Sequence, residues 1–113
     1  KEKYAVWSGA LATGSNLVFY GTLDRWFKAI DAKTGKALWK SQVGSGIVGN
    51  PYTYGHHGKQ YIGVYSGIGG WAGIAINQGL SADSDGAGAA GAFRELNFWN
   101  AAPSGGMVNV FSL

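Results

Sequence analysis

The sequence predicts an all-β chain, about two units of a repeat, each unit a small antiparallel sheet. Three observations point there. Glycine is abundant, at 20 of 113 residues, yet five Trp, six Tyr and five Phe are present too. A disordered glycine-rich chain lacks such aromatics, whereas short strands joined by tight turns use both. Apolar runs are short, broken by glycine-rich turns, and show no helical periodicity. Finally, Val18-Phe19-Tyr20-Gly21 and Val64-Tyr65-Ser66-Gly67 lie about 46 residues apart, each followed by a turn and a Trp, and a spacing in the forties suits a four-stranded repeating unit.

Taken in order, Tyr4–Trp7 reads as a short extended segment that Ser8-Gly9 breaks. Ala10–Thr13 is a second extended piece, and Gly14-Ser15-Asn16 a turn. Leu17–Gly21 is the clearest strand, apolar on both faces as a buried strand should be. Thr22–Arg25 turns the chain into Trp26–Ile30.

The stretch Ala29–Trp39 then reads as a β-hairpin with a Lys-Thr-Gly corner. Asp31 can fold its carboxylate back onto turn N–H groups, Thr34 can add a hydroxyl bond, and Gly35 suits a position with φ > 0. Trp39 returns on the far strand, Ala37–Gln42. A small residue, Ala29, and a large flat one, Trp39, suggest an indole laid on a cleared surface. That surface belongs either to the same hairpin or to a neighbouring one.

Gly44–Gly49 reads as a loop, Pro51–Tyr54 as extended, and Gly55-His56-His57-Gly58 as a hairpin loop. Lys59–Ser66 is a strand with Ile62 and Val64 on one face. Gly67–Gly73 is a second glycine loop, carrying Trp71. Residues 74–105 are weakly patterned, with a helical turn or two at Ile74–Leu80 and one short helix within Gly88–Trp99 as expectations. Met107–Leu113 closes as a strand.

The first unit thus holds four strands and the second three, its outer strand missing. The period is that of a propeller blade. A blade buries its faces only against neighbouring blades, so two cannot close a ring. The expectation is a C-terminal fragment of one propeller domain spanning 1–113. Blade one covers about 8–43, and a partial last blade about 44–113 with a long loop over 67–105.

Nine Lys/Arg against six Asp/Glu give a net charge of +3. The basic residues sit near turns and strand ends, a solvated surface rather than a nucleic-acid site, and no recognition signature for RNA or DNA is present. No apolar run is long enough for a membrane span. There is no cysteine, hence no disulfide or thiolate metal site in this stretch. His56 and His57 are adjacent, diverge in an extended or turn backbone and lack a third ligand, so they read as a solvated hairpin tip. Asp83 and Asp85 lack the remaining ligands of a calcium loop. No metal site and no catalytic residue is therefore assigned within these residues.

The spacing Ala29-x-Asp31-x-x-Thr34-Gly35-x-x-x-Trp39 resembles the tryptophan-docking motif of the pyrroloquinoline-quinone (PQQ) dehydrogenase propellers. The segments Val6–Thr13, Leu17–Thr22, Ser66–Gly73 and Val108–Leu113 extend the resemblance to the C-terminal part of the large subunit of the PQQ-dependent methanol dehydrogenases. The Trp-Ala-Gly at Trp71–Gly73 leans toward the lanthanide-type enzymes over the calcium-type.

The resemblance implies an eight-bladed propeller with PQQ on its axis. It implies a periplasmic enzyme that oxidises methanol and other primary alcohols and passes electrons to a c-type cytochrome. It further implies a homodimer or higher oligomer, and a lanthanide or calcium ion held by residues outside this stretch. By the same resemblance Trp7, Gly70 and Trp71 are cofactor-binding. The chemistry suits them: an indole N–H donates without adding charge, and a glycine loop lets backbone N–H groups approach carboxylates closely. Taken without the resemblance, Trp7 reads as a core aromatic. The rival function is a non-catalytic propeller scaffold for protein–protein contacts. A sugar- or polymer-binding β-domain is a third reading, suggested by the aromatics alone.

Overall fold

The structure is a computed structural model, and it describes residues 2, 6–68 and 105–113. Among the described residues seven strands form two antiparallel sheets. The first contains β1 (Leu11–Ala12), β2 (Leu17–Gly21), β3 (Trp26–Asp31) and β4 (Ala37–Gln42), side by side in chain order. The second contains β5 (Tyr52–His56), β6 (Lys59–Gly67) and β7 (Gly106–Ser112), again in order. The all-β expectation and the four-plus-three strand count both appear in the structure. The helical expectations at Ile74–Leu80 and Gly88–Trp99, together with Tyr4, Asp83 and Asp85, lie outside the described residues.

The β3–β4 corner forms as its chemistry dictates. Asp31 Oδ1 accepts the N–H groups of Lys33 at 2.8 Å and Thr34 at 2.9 Å. Gly35 takes φ 72° and donates its N–H to the Asp31 carbonyl at 2.8 Å. Thr34 Oγ1 accepts the Lys36 N–H at 3.2 Å. The N–H bonds from Thr34 and Lys33 stabilise the carboxylate and hold the Asp31 carboxyl below the usual carboxylate range.

Three local expectations need correction. β5 continues through Gly55 to His56, so the hairpin loop shrinks to His57-Gly58. Both turn residues have positive φ, 49° and 77°, the mirror-image turn whose twist matches the flanking strands. The piece over Ala10–Thr13 pairs only at Leu11 and Ala12. β2 is not buried on both faces: Phe19 and Gly21 are buried, while Leu17, Val18 and Tyr20 are half-buried.

The core lies between the two sheets. Phe19, Phe27 and Ala29 from the first meet Ile62 and Val64 from the second, joined by Val43 and Ile47 from the connection. Phe27 is fully buried and central. Its ring lies 5.9 Å from Phe19 and 5.7 Å from Phe111 of β7, and 6.0 Å edge-on from Trp39. Trp39 stands opposite Ala29 in the β3–β4 register and also meets Phe111 edge-on at 5.1 Å. The docking indole therefore serves both alternatives at once, covering its own hairpin's small residue and reaching the neighbouring sheet. A cleft of about 520 Å³ remains beside it, lined by Leu17, Ala29, Trp39, Val110 and Leu113 among others.

The outward faces differ. On the first sheet Glu2 bridges two cross-strand partners, Lys28 and Tyr20. Its carboxylate accepts Lys28 Nζ at 2.7 and 3.0 Å and Tyr20 OH at 2.8 Å. Burial, then the bond to Glu2, pushes the Tyr20 phenol up to about 12. On the second sheet Tyr52, Tyr54, Tyr65, Val108 and Val110 are exposed together, with the Tyr52, Tyr54 and Tyr61 rings stacked in a row.

Candidate functional site

Antiparallel order places the connections at two opposite ends. Residues 13–16, 32–36 and 57–58 form one, here the turn end. Residues 7–9, 22–25, 43–51 and 67–68 form the other, the loop end. The first predicted site residue, Trp7, stands at the loop end and is half-buried. Gly70 and Trp71 lie outside the described residues, but β6, the strand that leads toward them, ends at the same place.

Four segments are knitted together there. Ser8, next to Trp7, accepts the Gly21 N–H on its hydroxyl at 2.8 Å and donates toward the Gly21 and Gly9 carbonyls, both at 3.0 Å. Gly9 donates its N–H to Asn50 Oδ1 at 2.8 Å. Thr22 accepts the Ile47 N–H on its carbonyl at 3.0 Å, and the Arg25 carbonyl accepts Val43 N–H at 2.8 Å. Gly46 then accepts the Gly67 N–H at 2.8 Å. The Trp7 segment is thus connected, bond by bond, to the mouth of the second glycine loop.

The connection 43–47 is not the solvated loop its glycines suggest. Val43, Ser45, Gly46 and Ile47 are buried, with Ile47 fully so. A Cβ on Gly21 would drive into the Ile47 side chain, and one on Gly46 would come within 2.5 Å of the Leu23 carbonyl oxygen. Gly21 is needed to admit the Ile47 side chain, and Gly46 because the Leu23 backbone lies against it. Thr22, also fully buried, stays satisfied: its Oγ1 accepts Trp26 N–H at 3.1 Å.

The sequence singles out Trp7 through the family resemblance but not Ser8, Asn50 or the buried connection. Asn50 precedes Pro51, a turn-forming pair. Nothing local to Gly44–Gly49 announces that Ile47 fills the core. Arg25 reads from sequence as a turn residue, and its φ of 75° fits a turn, yet its Nε is buried without a hydrogen-bond partner. His56 and His57 do not diverge as expected: they are exposed at the turn end, where the positive φ of His57 bends the chain, and their ring centres lie 3.9 Å apart. Among the described residues no group of three or more His, Cys, Asp or Glu converges on a metal position. No helix of the described residues is long and apolar enough to cross a membrane.

Two adjacent antiparallel sheets, packed face to face with a docking Trp between them, define a section of a β-propeller. Comparison with known proteins agrees. Residues 3–62 match the profile of the PQQ glucose/ethanol/alcohol dehydrogenase β-propeller domain, and the chain belongs to that family. It is 50% identical over 115 residues to the lanthanide-dependent methanol dehydrogenase of Methylacidiphilum fumariolicum (strain SolV), covering 99% of this chain and 19% of that protein. It is also 50% identical over 112 residues to methanol dehydrogenase (cytochrome c) subunit 1 of Methylobacterium organophilum, covering 99% of this chain and 18% of that one. A europium-containing methanol dehydrogenase superposes with a TM-score of 0.87 at 50% identity, covering 99% of this chain and 20% of that chain. The chain therefore spans about a fifth of the length of these relatives. Identity does not separate the lanthanide-dependent relative from the cytochrome c one.

Proposed function

We propose that this chain is the C-terminal section of the large subunit of a periplasmic quinoprotein methanol dehydrogenase. The full-length protein oxidises small primary alcohols to aldehydes with PQQ and passes the electrons to a c-type cytochrome. A lanthanide or calcium ion is held by residues of other blades, and the full-length chain forms a homodimer or higher oligomer. Within this stretch, residues of about 8–43 make one blade and those of about 44–113 the last, with 67–105 containing its long loop. The exposed apolar face on Tyr52, Tyr54, Tyr65, Val108 and Val110 suits a further blade packed against it.

The observation that carries the reading is the loop end. Its bonds run from the Trp7 segment to Gly67, so the segments leading to both predicted cofactor positions are held in one frame. The residues present suit a planar quinone with several carboxylates. Trp7 offers an indole that is half open, and Arg25 at the same end has a buried Nε without a partner, a cationic donor for an anion. Bound there, PQQ supplies the two-electron acceptor. Trp7, and by the family resemblance Gly70 and Trp71, bind and orient it. These residues contribute no proton transfer; the acid–base group and the metal ligands belong to residues outside this stretch.

The test is quinone absorbance co-purifying with the full-length protein. It should be present in the wild type and reduced in Trp7→Ala, whose melting temperature without cofactor should change little. A full-length protein carrying no quinone hands the case to a non-catalytic scaffold.

A further inference from the structure

We infer that Asn50 and Ser8 are positioning residues for Trp7, and that Asn50 makes cofactor binding by one sheet depend on the first turn of the next. The inference rests on the reading of Trp7 as a cofactor contact and adds what holds it. Trp7 precedes two residues that are each bonded to a distant part of the fold. Ser8 clamps the far end of β2 through both the N–H and the carbonyl of Gly21, at 2.8 and 3.0 Å. Gly9 gives its N–H to Asn50 Oδ1 at 2.8 Å, across to the segment that opens the second sheet.

Gly9 is required by that contact. A Cβ there would collide with the Asn50 side-chain carbonyl, so the amide oxygen sits against the bare backbone. The chain just after Trp7 is thereby fixed at two points, one at the end of β2 and one in the connection that leads into β5. Asn50 is itself exposed, whereas Ser8 satisfies the N–H of the buried Gly21. Loss of the Asn50 bond should therefore cost the fold little. It should cost the indole its aim, because a ligand contact tolerates small errors of placement poorly.

The experiment uses the full-length protein stripped of PQQ, titrated with PQQ in the presence of excess lanthanum, with thermal melting of the stripped protein alongside. Trp7→Ala, Asn50→Ala, Ser8→Ala and the Trp7→Ala/Asn50→Ala double variant are compared. Asn50→Ala is expected to raise the PQQ Kd about fivefold, the size of one net hydrogen bond, with the stripped protein's melting temperature unchanged. Ser8→Ala is expected to act in the same direction. In the Trp7→Ala background Asn50→Ala should then have no further effect on Kd, because it acts through the indole. Additive effects of Asn50→Ala and Trp7→Ala overturn the inference, as does an Asn50→Ala Kd equal to wild type. A Trp7→Ala variant that binds PQQ as wild type does overturns the underlying reading of Trp7 instead, and the two failures are told apart by which variant is silent.

Discussion

The two ends of the sheets are built on different principles. At the turn end the connections close mainly on themselves, with the Ala32 N–H to the Asn16 carbonyl at 2.8 Å linking two of them. Asp31, Thr34 and Gly35 close their own corner, and His57-Gly58 closes a two-residue hairpin with nothing borrowed from outside. At the loop end every connection is completed by another one: Ser8 by Gly21, Gly9 by Asn50, Ile47 by Thr22, Gly67 by Gly46. The turn end is exposed and locally coded. The loop end is largely buried, crowded and assembled from residues far apart in sequence. An end that must hold a ligand between repeats has to be of the second kind, since its geometry cannot belong to any one hairpin.

This contrast predicts an order of sensitivity in the full-length protein, read by chemical or thermal denaturation. Ile47→Ala, which empties a fully buried site at the loop end, should cost about 3 kcal/mol. Trp39→Ala, at the sheet-to-sheet contact that both ends share, should cost a similar amount or somewhat less, because part of the indole is exposed. Gly46→Ala should cost about 2 kcal/mol, since its new methyl faces a carbonyl oxygen that cannot move aside cheaply.

At the turn end, Gly35→Ala should cost only about 1 kcal/mol, the penalty of a left-handed residue with a Cβ in open space. If Gly35→Ala proves costlier than Gly46→Ala, the contrast between the ends is wrong. His57→Asn should stabilise slightly, by about 0.5 kcal/mol, because Asn-Gly suits this turn and tolerates positive φ better.

Acid should discriminate as well. The folded Asp31 carboxyl lies below the usual range, so the unfolded chain takes up its proton at higher pH than the folded one. Its contribution is complete above the unfolded carboxyl's range and is lost as pH falls through the folded one. Wild type and Asp31→Asn should therefore differ at neutral pH and converge in acid. The Glu2 carboxyl moves the same way: burial alone would raise it, but the bonds from Lys28 and Tyr20 outweigh that.

How much of this was legible in the sequence follows the same division. The Lys-Thr-Gly corner was readable because every group it needs lies within a few residues of Asp31. The inward face of β6 was readable from Ile62 and Val64, because strand side chains alternate. The length of β5 was misjudged, since Gly55 and Gly58 looked alike while only Gly58 occupies the turn. The burial of 43–47 was invisible, because a run of small residues reads as solvent-exposed loop unless another backbone is known to lie against it. At the loop end, Trp7 stands out in the sequence by family resemblance alone. The residues bonded beside it, Ser8 to Gly21 and Asn50 to Gly9, carry no local mark.

The sequence by itself determined the strands, their turns and the family, because those depend on neighbours along the chain and on alternation of side chains. Only the tertiary structure decided that Gly21 clears room for the Ile47 side chain and Gly46 for the Leu23 backbone, that Trp39 spans both sheets, and that Asn50 reaches back to Gly9. Those contacts join positions tens of residues apart, and the free energy that selects them comes from closing the space between two sheets, which no single segment encodes.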